Sequence, residues 1–233
     1  MNKDIKVMIE LQRYWDNVLR GRNGIEKSEK SILHWKKQVY EKAKELSQIE
    51  EKIKETKVII KQKEIELSEN DEQIKKLNKR RDIVKNEKEM TAIDHEFANV
   101  KSLKDNLESE LINLFDFLGD KESEVVKLKT ELNEVEKQSL KDITDLKGKI
   151  SHFNSLIDEN QQHFDESINN MSPETKMRFL KLIKSQNGKA IAMIEGEICG
   201  VCNFQIPFNI IQDVLKDNNI VNCTNCGRFL YIT

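Results

Sequence analysis

All four cysteines of the 233-residue chain lie in its last 35 residues, in two pairs of identical spacing. Each pair is a Cys-x-x-Cys motif, formed by Cys199 with Cys202 and by Cys223 with Cys226. One such loop offers two thiolates from a tight turn, so two loops supply the four tetrahedral ligands that structural Zn²⁺ prefers. Four sulfurs leave no coordination position open for water or substrate. The spacing therefore predicts one zinc ion with a structural role.

Two other uses of paired cysteines are disulfide bonds and a thioredoxin-like redox centre. Disulfides are disfavoured because the first residues of the chain lack the apolar core of a secretory signal peptide. A redox centre needs a single Cys-x-x-Cys motif in a βαβ setting, whereas this chain has two motifs and no such setting. Zinc remains the favoured interpretation, and with it a cytoplasmic protein whose thiols stay reduced.

No arrangement of residues suggests catalysis. The four histidines, at positions 34, 95, 152 and 163, are distant in sequence from the cysteines. No nucleophile with a neighbouring base, glycine-rich phosphate loop or convergent pair of carboxylates stands out. We therefore expect a protein that is not an enzyme.

The composition describes long helices that face solvent. Charged residues make up 34% of the chain and hydrophobic residues 37%, with eight Gly and only two Pro. Such a chain has few helix breakers and too little apolar content for a large globular core. No apolar run has the length of a membrane span. The net charge of −2 argues against a chain held to nucleic acid by its overall charge.

A heptad repeat runs through the first part of the chain. One position is apolar ten times in succession from Leu11 to Ile74, which is typical of a left-handed supercoil. A second seam begins at Ile93. A coiled coil usually has a second apolar heptad position three residues after the first. In the first seam this companion position is apolar in some repeats and not in others. Its interruptions are Gly21, Ser28, Lys42, Thr56, Lys63 and Asn70.

The apolar pattern lapses between the two seams, around Lys79 to Glu89. Asn86 in this stretch is a candidate for the left-handed conformation of a turn. We expect the chain to fold back near residue 85, because both seams can then pair within one chain. An unbroken parallel dimer is the alternative, so the oligomeric state stays open. The predicted fold is mainly α: a long antiparallel coiled-coil hairpin over residues 1–171, then a small α+β C4 zinc ribbon over residues 172–233.

The ribbon has its own element signals. Ser172 and Pro173 begin a helix that Gly188 ends, and a strand follows over residues 190–194. A short helix over 208–215 and a strand over 229–232 flank the second cysteine pair. Arg228 is expected to hydrogen-bond cysteine sulfur or backbone beside the metal. In so small a domain the aromatic residues are expected mostly in the core. They are Phe204, Phe208, Phe229 and Tyr231.

Two stretches resemble a bacterial family that joins a long coiled-coil hairpin to a C4-type zinc ribbon. Residues 84–96 are similar to the family's signature at the hairpin tip. Residues 198–207 and 221–231, with both cysteine pairs, are similar to its ribbon. Members include the flagellar regulator FlgZ and a chlamydial protein that binds sigma-54. The resemblance implies a cytoplasmic adaptor, linked in some members to sigma-54 and the flagellar or type III export apparatus, and in others to messenger RNA.

The densest cluster of charge coincides with the expected tip. Residues 75–88 hold seven basic and two acidic side chains. A basic tip can attract an acidic protein surface or phosphate, whereas a solvated helix end is the simpler explanation. Partner binding, and with it an adaptor function, is the first hypothesis, and a nucleic-acid-binding regulator that uses the tip or the ribbon is the second. The candidate contact residues are Lys79, Arg80, Arg81, Lys85, Lys88 and Glu89.

Overall fold

The structure, a computed structural model, describes residues 2–216 and 220–232 and consists mostly of helix. Two long helices come first: α1 is Lys3–Arg81 and α2 is Glu87–Ser167, followed by a 3-10 turn, Ile168–Asn170. The shorter helices are α3, Pro173–Ser185, and α4, Phe208–Leu215. The strands are β1, Ile191–Glu195, β2, Ile198–Cys199, and β3, Phe229–Tyr231. Within the described residues, no helix has an apolar stretch long enough to cross a membrane.

Helices α1 and α2 pack against each other in opposite directions. Near the turn, Leu77 of α1 is buried with Ile93 and Val100 of α2. Near the start of α1, Asn17 donates a hydrogen bond of 2.9 Å to Asn160, close to the end of α2. Contacts between residues so distant in sequence confirm the predicted fold-back.

The chain divides into two compact units. The tip unit comprises His34–Lys141 and contains the turn between α1 and α2. The ribbon unit comprises Met1–Leu33 and Asp142–Thr233, and so contains the outer parts of both long helices together with α3, α4 and the strands. The predicted domain boundary between residues 171 and 172 stays a prediction.

In the tip unit, cross-helix ion pairs occupy the irregular positions of the first seam. Lys42 and Lys63 stand where a coiled coil usually has an apolar side chain. Lys42 Nζ lies 2.7 Å from the Glu131 carboxylate, and Lys63 Nζ pairs with Glu110. The hydrogen bond to Glu110 is the main reason that the pKa of Lys63 is raised. These polar residues therefore bridge the two helices instead of interrupting their contact.

In the ribbon unit, two glycines allow α1 and α2 to approach closely. A Cβ atom at Gly21 would lie 2.7 Å from Ile157, and one at Gly24 would lie 2.5 Å from the ring of Phe153. Both distances are shorter than van der Waals contact, so neither position has room for a larger residue. Close packing of the two helices therefore explains why the seam has a glycine at Gly21. Cross-helix ion pairs explain why it has lysines at Lys42 and Lys63.

The turn at Asp82–Asn86 differs from the expectation in one respect. Asn86 is not in the left-handed conformation: among the described non-glycine residues a positive φ occurs at Asn187 and Asn203. Instead, the Asn86 side-chain oxygen accepts a hydrogen bond of 3.1 Å from the backbone of Lys88. This is an N-cap contact, and it satisfies a backbone N–H that the first turn of α2 leaves free.

The small sheet of the ribbon unit separates two cores. Its strand order is β2-β1-β3, with β1 antiparallel to β2 and parallel to β3. Ile191 and Phe229 join a cluster with buried residues of α1, α2 and α3. Ala192 and Leu230, the next residue along each strand, join the cluster that contains Cys199 and Cys223. Side chains alternate along a strand, so one face of the sheet packs on the helices and the other on the cysteines.

A buried glutamine connects α1 to the segment that leads into β1. The Gln12 side chain donates a hydrogen bond of 2.6 Å to the Gly188 carbonyl and accepts one of 2.8 Å from the Ala190 N–H. Gly188 has a φ of +79° and, as predicted, ends α3. Nearby, Lys189 pairs with Asp16 at 2.7 Å. These contacts fix the start of the sheet to the first helix.

Candidate metal centre

The four cysteine sulfurs converge on one point. All four Sγ atoms lie within 4.8 Å of one another. The sulfurs of Cys199 and Cys226 are 4.0 Å apart, and those of Cys202 and Cys223 are 3.7 Å apart. A tetrahedral ion with Zn–S bonds of about 2.3 Å separates its sulfurs by about 3.8 Å. The spacing of the thiols therefore fits one tetrahedral zinc ion, and the site is a closed structural centre.

The two cysteine loops have the same backbone geometry. In the first, the Cys199 N–H bonds to the carbonyl of Phe204, and the Asn203 N–H bonds to the Cys199 carbonyl at 2.8 Å. In the second, the Cys223 N–H bonds to Arg228, and the Gly227 N–H bonds to the Cys223 carbonyl, also at 2.8 Å. Each loop is therefore a five-residue knuckle that turns two thiols towards the same side.

Each knuckle closes through a residue in the left-handed conformation. Asn203 has a φ of +56° and Gly227 a φ of +73°. Asn and Gly are the residue types that tolerate this region best. No role for either residue was predicted from the sequence, although both directly follow the second cysteine of a pair and so carry a recognisable signal.

The thiols fall into an inner and an outer pair. Cys199 and Cys223 are buried, and burial raises the pKa of both thiols, that of Cys223 to about 12. Burial also raises the pKa of the half-buried Cys202, but hydrogen bonds from the backbone of Phe204 and the side chain of Asn225 outweigh this effect and lower it to about 6. A bound Zn²⁺ supplies the positive charge that holds all four sulfurs as thiolates.

Arg228 supports the second knuckle from the backbone side. Its guanidinium donates hydrogen bonds of 3.0 Å to the Lys189 carbonyl and 3.2 Å to the Gln186 carbonyl. Of the two partners expected for Arg228, backbone and sulfur, the structure shows the backbone. Arg228 thereby joins the second knuckle to the turn after α3.

The aromatic residues of the ribbon do not all enter a core. Phe229 is buried and Tyr231 is half-buried, as expected. Phe204 and Phe208 are exposed, Phe208 by 68%. The core expectation is wrong for these two residues, because Phe204 lies between the first knuckle and α4 and Phe208 begins that helix. In α4 the inner side is instead formed by Ile210, Ile211 and Val214.

The candidate partner residues all lie on the surface of the tip unit. Lys79, Arg80 and Arg81 form the last turn of α1. Lys85 lies in the turn, and Lys88 and Glu89 lie in the first turn of α2. All six are exposed, and Arg81 pairs with Asp94 at 3.2 Å. Ile83, between these residues, is 77% exposed. The tip thus shows an apolar side chain among cations, a combination that the sequence analysis did not single out.

Comparisons with known proteins agree with the geometry of the metal centre. Residues 198–230 match the C4-type zinc ribbon domain family. That match covers both knuckles and the helix between them. No curated protein sequence matches the chain at a significant level.

Solved structures with a similar fold cover nearly the whole chain. CT398 from Chlamydia trachomatis has a TM-score of 0.89 at 20% identity, over 98% of this chain and 97% of that one. HP0958 from Helicobacter pylori has a TM-score of 0.65 at 20% identity, over 99% and 98%. A protein from Mycobacterium smegmatis has a TM-score of 0.62 at 14% identity, over 99% of both chains. Likeness at this identity establishes the shared fold, a helical hairpin with a zinc ribbon.

Proposed function

We propose that the chain is a non-enzymatic adaptor that joins protein partners, and that one partner binds the tip surface. The tip surface is defined here as Lys79, Arg80, Ile83, Lys85 and Lys88. By the family resemblance of the sequence, the proposed partner is sigma-54 or a component of the flagellar or type III export apparatus, in the cytoplasm. The closed sulfur centre supports a non-catalytic function, because structural zinc stabilises a domain and offers no position for a substrate.

The observation that carries this proposal is the exposed Ile83 in a turn flanked in sequence by exposed cations. Its four basic neighbours in the tip surface make no ion pair with any residue in the described part of the chain. An apolar side chain inside a charged rim is typical of a protein interface, where the apolar residue contributes affinity and the rim guides association. The surface therefore favours an acidic protein partner with an apolar contact point.

The test is the association rate with purified sigma-54 of the same organism. Changing Lys79, Arg80 and Lys85 to Glu should slow association at least about tenfold at low salt, and the loss should shrink as salt rises. Ile83→Asp should instead speed dissociation, since it removes the apolar contact. A matched control changes three exposed lysines elsewhere in the tip unit, Lys52, Lys127 and Lys137, to Glu. Equal rates for the triple tip variant and the control contradict the proposal for this partner.

A nucleic-acid-binding regulator is the second candidate, favoured by the excess of cations at the tip. Counterion release gives nucleic-acid binding a steep dependence on salt, whereas an interface with an apolar centre changes less. Capture of the partner with and without nuclease separates the two. Loss of all binding after nuclease treatment supports the regulator and contradicts the adaptor.

A further inference from the structure

A cleft of about 590 Å³ opens beside the metal centre, entirely within the ribbon unit. One wall is α1, with Arg13, Asn17 and Arg20, and the other is the ribbon, with Met193 and Val201. A neighbouring hollow of about 660 Å³ shares Arg20 with the cleft and continues along α1 to Lys27. The two together form one groove, called here the ribbon cleft.

The α1 wall of the ribbon cleft carries a row of exposed cations, of which Arg13 lies over the Tyr14 ring at 5.4 Å. Arg13, Arg20 and Lys27 recur every seven residues, so they lie along one face of the helix at intervals of about 10 Å. All three are exposed, and none forms an ion pair with another residue in the described part of the chain. A row of unpaired cations along a groove attracts a ligand with several negative charges.

The opposite wall is mainly apolar. Met193 and Tyr231 are half-buried there, and Val201 is 38% exposed. Such a wall can accept an aliphatic side chain, and its aromatic ring is that of Tyr231, while the neighbouring hollow adds the ring of Phe153. Single-stranded nucleic acid is usually held by several aromatic rings on which successive bases stack. The wall is therefore better suited to a peptide than to a row of bases.

The carboxylates of the ribbon cleft also favour a peptide. Asp16 and Glu195 line it, and of these Asp16 is neutralised by Lys189 at 2.7 Å. Glu195 is exposed on the ribbon side and would repel a phosphate placed beside it. A nucleic acid carries a charge at every residue. A peptide can place its carboxylates along α1 and an uncharged side chain next to Glu195.

We propose that the ribbon cleft binds an acidic segment of a partner protein. Carboxylates of the segment pair with Arg13, Arg20 and Lys27, and an aliphatic side chain packs against Met193 and Val201. This gives the adaptor a binding site that does not involve the tip surface, and it holds whether or not the tip binds sigma-54.

Binding at the ribbon cleft depends on the metal centre. Gly200 and Val201, which line the cleft, are the two residues between Cys199 and Cys202. The Gly200 N–H bonds to the Met193 carbonyl at 2.8 Å, so the knuckle is fixed against β1. Loss of zinc releases the knuckle and with it part of the apolar wall. Chelation should therefore weaken peptide binding at least about tenfold.

The test is a selection of random 12-residue peptides displayed on phage against the full-length, zinc-loaded chain. Enriched peptides should carry an excess of Asp and Glu together with Leu, Ile or Val. As synthetic fluorescent peptides they should bind at least about tenfold more weakly to the double variant Arg13→Glu, Arg20→Glu. The matched control, Lys52→Glu with Lys127→Glu, makes the same change of charge at exposed lysines outside both the ribbon cleft and the tip surface, and should bind as the original chain does.

A second measurement locates the peptide and guards against misfolding. Both arginines are exposed, so the double variant should keep its helical circular dichroism and its zinc content. Peptide addition should shift the methyl NMR signals of Met193 and Val201. Selection without enrichment of acidic peptides, or peptides that bind the arginine variant unchanged, overturns the proposal. So does a 12-nucleotide uridylate that binds the chain more tightly than the selected peptides and is lost in the arginine variant.

Discussion

Single residues decide whether the two cysteine loops can hold a metal ion. In each knuckle the residue after the second cysteine, Asn203 or Gly227, has a positive φ and returns a hydrogen bond to the first cysteine. This bond sets the separation of the two thiols, because it closes the turn between them. The knuckles thus need a residue type that tolerates the left-handed region in addition to their cysteines.

We expect Gly227→Asn to keep full zinc binding, since Asn203 already fills the equivalent position of the other knuckle. Gly227→Val should weaken the ribbon by about 1–2 kcal/mol, the cost of the left-handed region for a side chain that does not favour it. The nearest atom to a Cβ there, of Leu182, is 3.9 Å away, so crowding adds little. Zinc affinity measured by competition with a chromophoric chelator distinguishes the variants. Equal affinities for Asn and Val would show that backbone conformation is not limiting.

At the scale of the elements, the packing of α1 on α2 depends on where small and charged residues fall in the seam. Glycine at 24 permits contact with Phe153, whereas a Cβ at Gly119 would meet no atom within 4 Å. Helix α2 continues through Gly119 without interruption. The two glycines occupy the same kind of element and have opposite environments.

Alanine substitution should therefore have opposite effects at these positions. Gly119→Ala should stabilise the chain by about 1 kcal/mol, because alanine has the higher helix propensity and the site is open. Gly24→Ala should destabilise it by about 1–3 kcal/mol through overpacking against Phe153. Thermal unfolding followed by circular dichroism at 222 nm measures both. A higher midpoint temperature of unfolding for Gly24→Ala would mean that the two helices can move apart at this position without losing stability.

Much of the architecture was accessible from the sequence. The heptad positions and the lapse near residue 85 predicted the hairpin, and the cysteine spacing predicted the zinc centre, because both depend on local periodicity. The cross-helix partners of Lys42 and Lys63 were not predictable, since Glu131 and Glu110 lie on the other helix and their register is set by the whole seam. The ribbon cleft was missed for the same reason: Arg13 and Val201 are neighbours only after folding.

At the scale of the whole molecule, residues from both ends of the chain belong to the same unit. Met8 and Leu11 of α1 are buried with Phe179 and Phe229 of the ribbon. The tip unit, by contrast, is one continuous segment without a cysteine, and its core is formed by the two helices themselves. Metal loss should therefore act on the ribbon unit and leave the tip unit folded.

Chelation of zinc should disrupt the ribbon while most helical signal remains. Trp15 reports this change, because it packs on Phe164 with ring centroids 5.5 Å apart and its ring lies beside Gly188. In a Trp35→Phe variant the fluorescence of Trp15 should shift to longer wavelength on adding a strong chelator, and ellipticity at 222 nm should fall only slightly. Reconstitution with Zn²⁺ is the control. Simultaneous loss of both signals would contradict the separation of the two units.

The contact of Gln12 with Gly188 and Ala190 has a consequence for the order of folding. Gly188 and Ala190 are 176 and 178 residues away from Gln12 in the sequence. Direct closure of a loop of this length is slow and entropically unfavourable. The turn near residue 85 instead brings together residues that are close in sequence. Pairing of α1 with α2 can then proceed from this turn until Gln12 reaches the ribbon. During synthesis, Leu11 therefore stays exposed until almost the entire chain has been made, because its cluster includes Phe229. In stopped-flow refolding, Trp35 should reach its final fluorescence before Trp15, and the reverse order would show that the chain ends associate first.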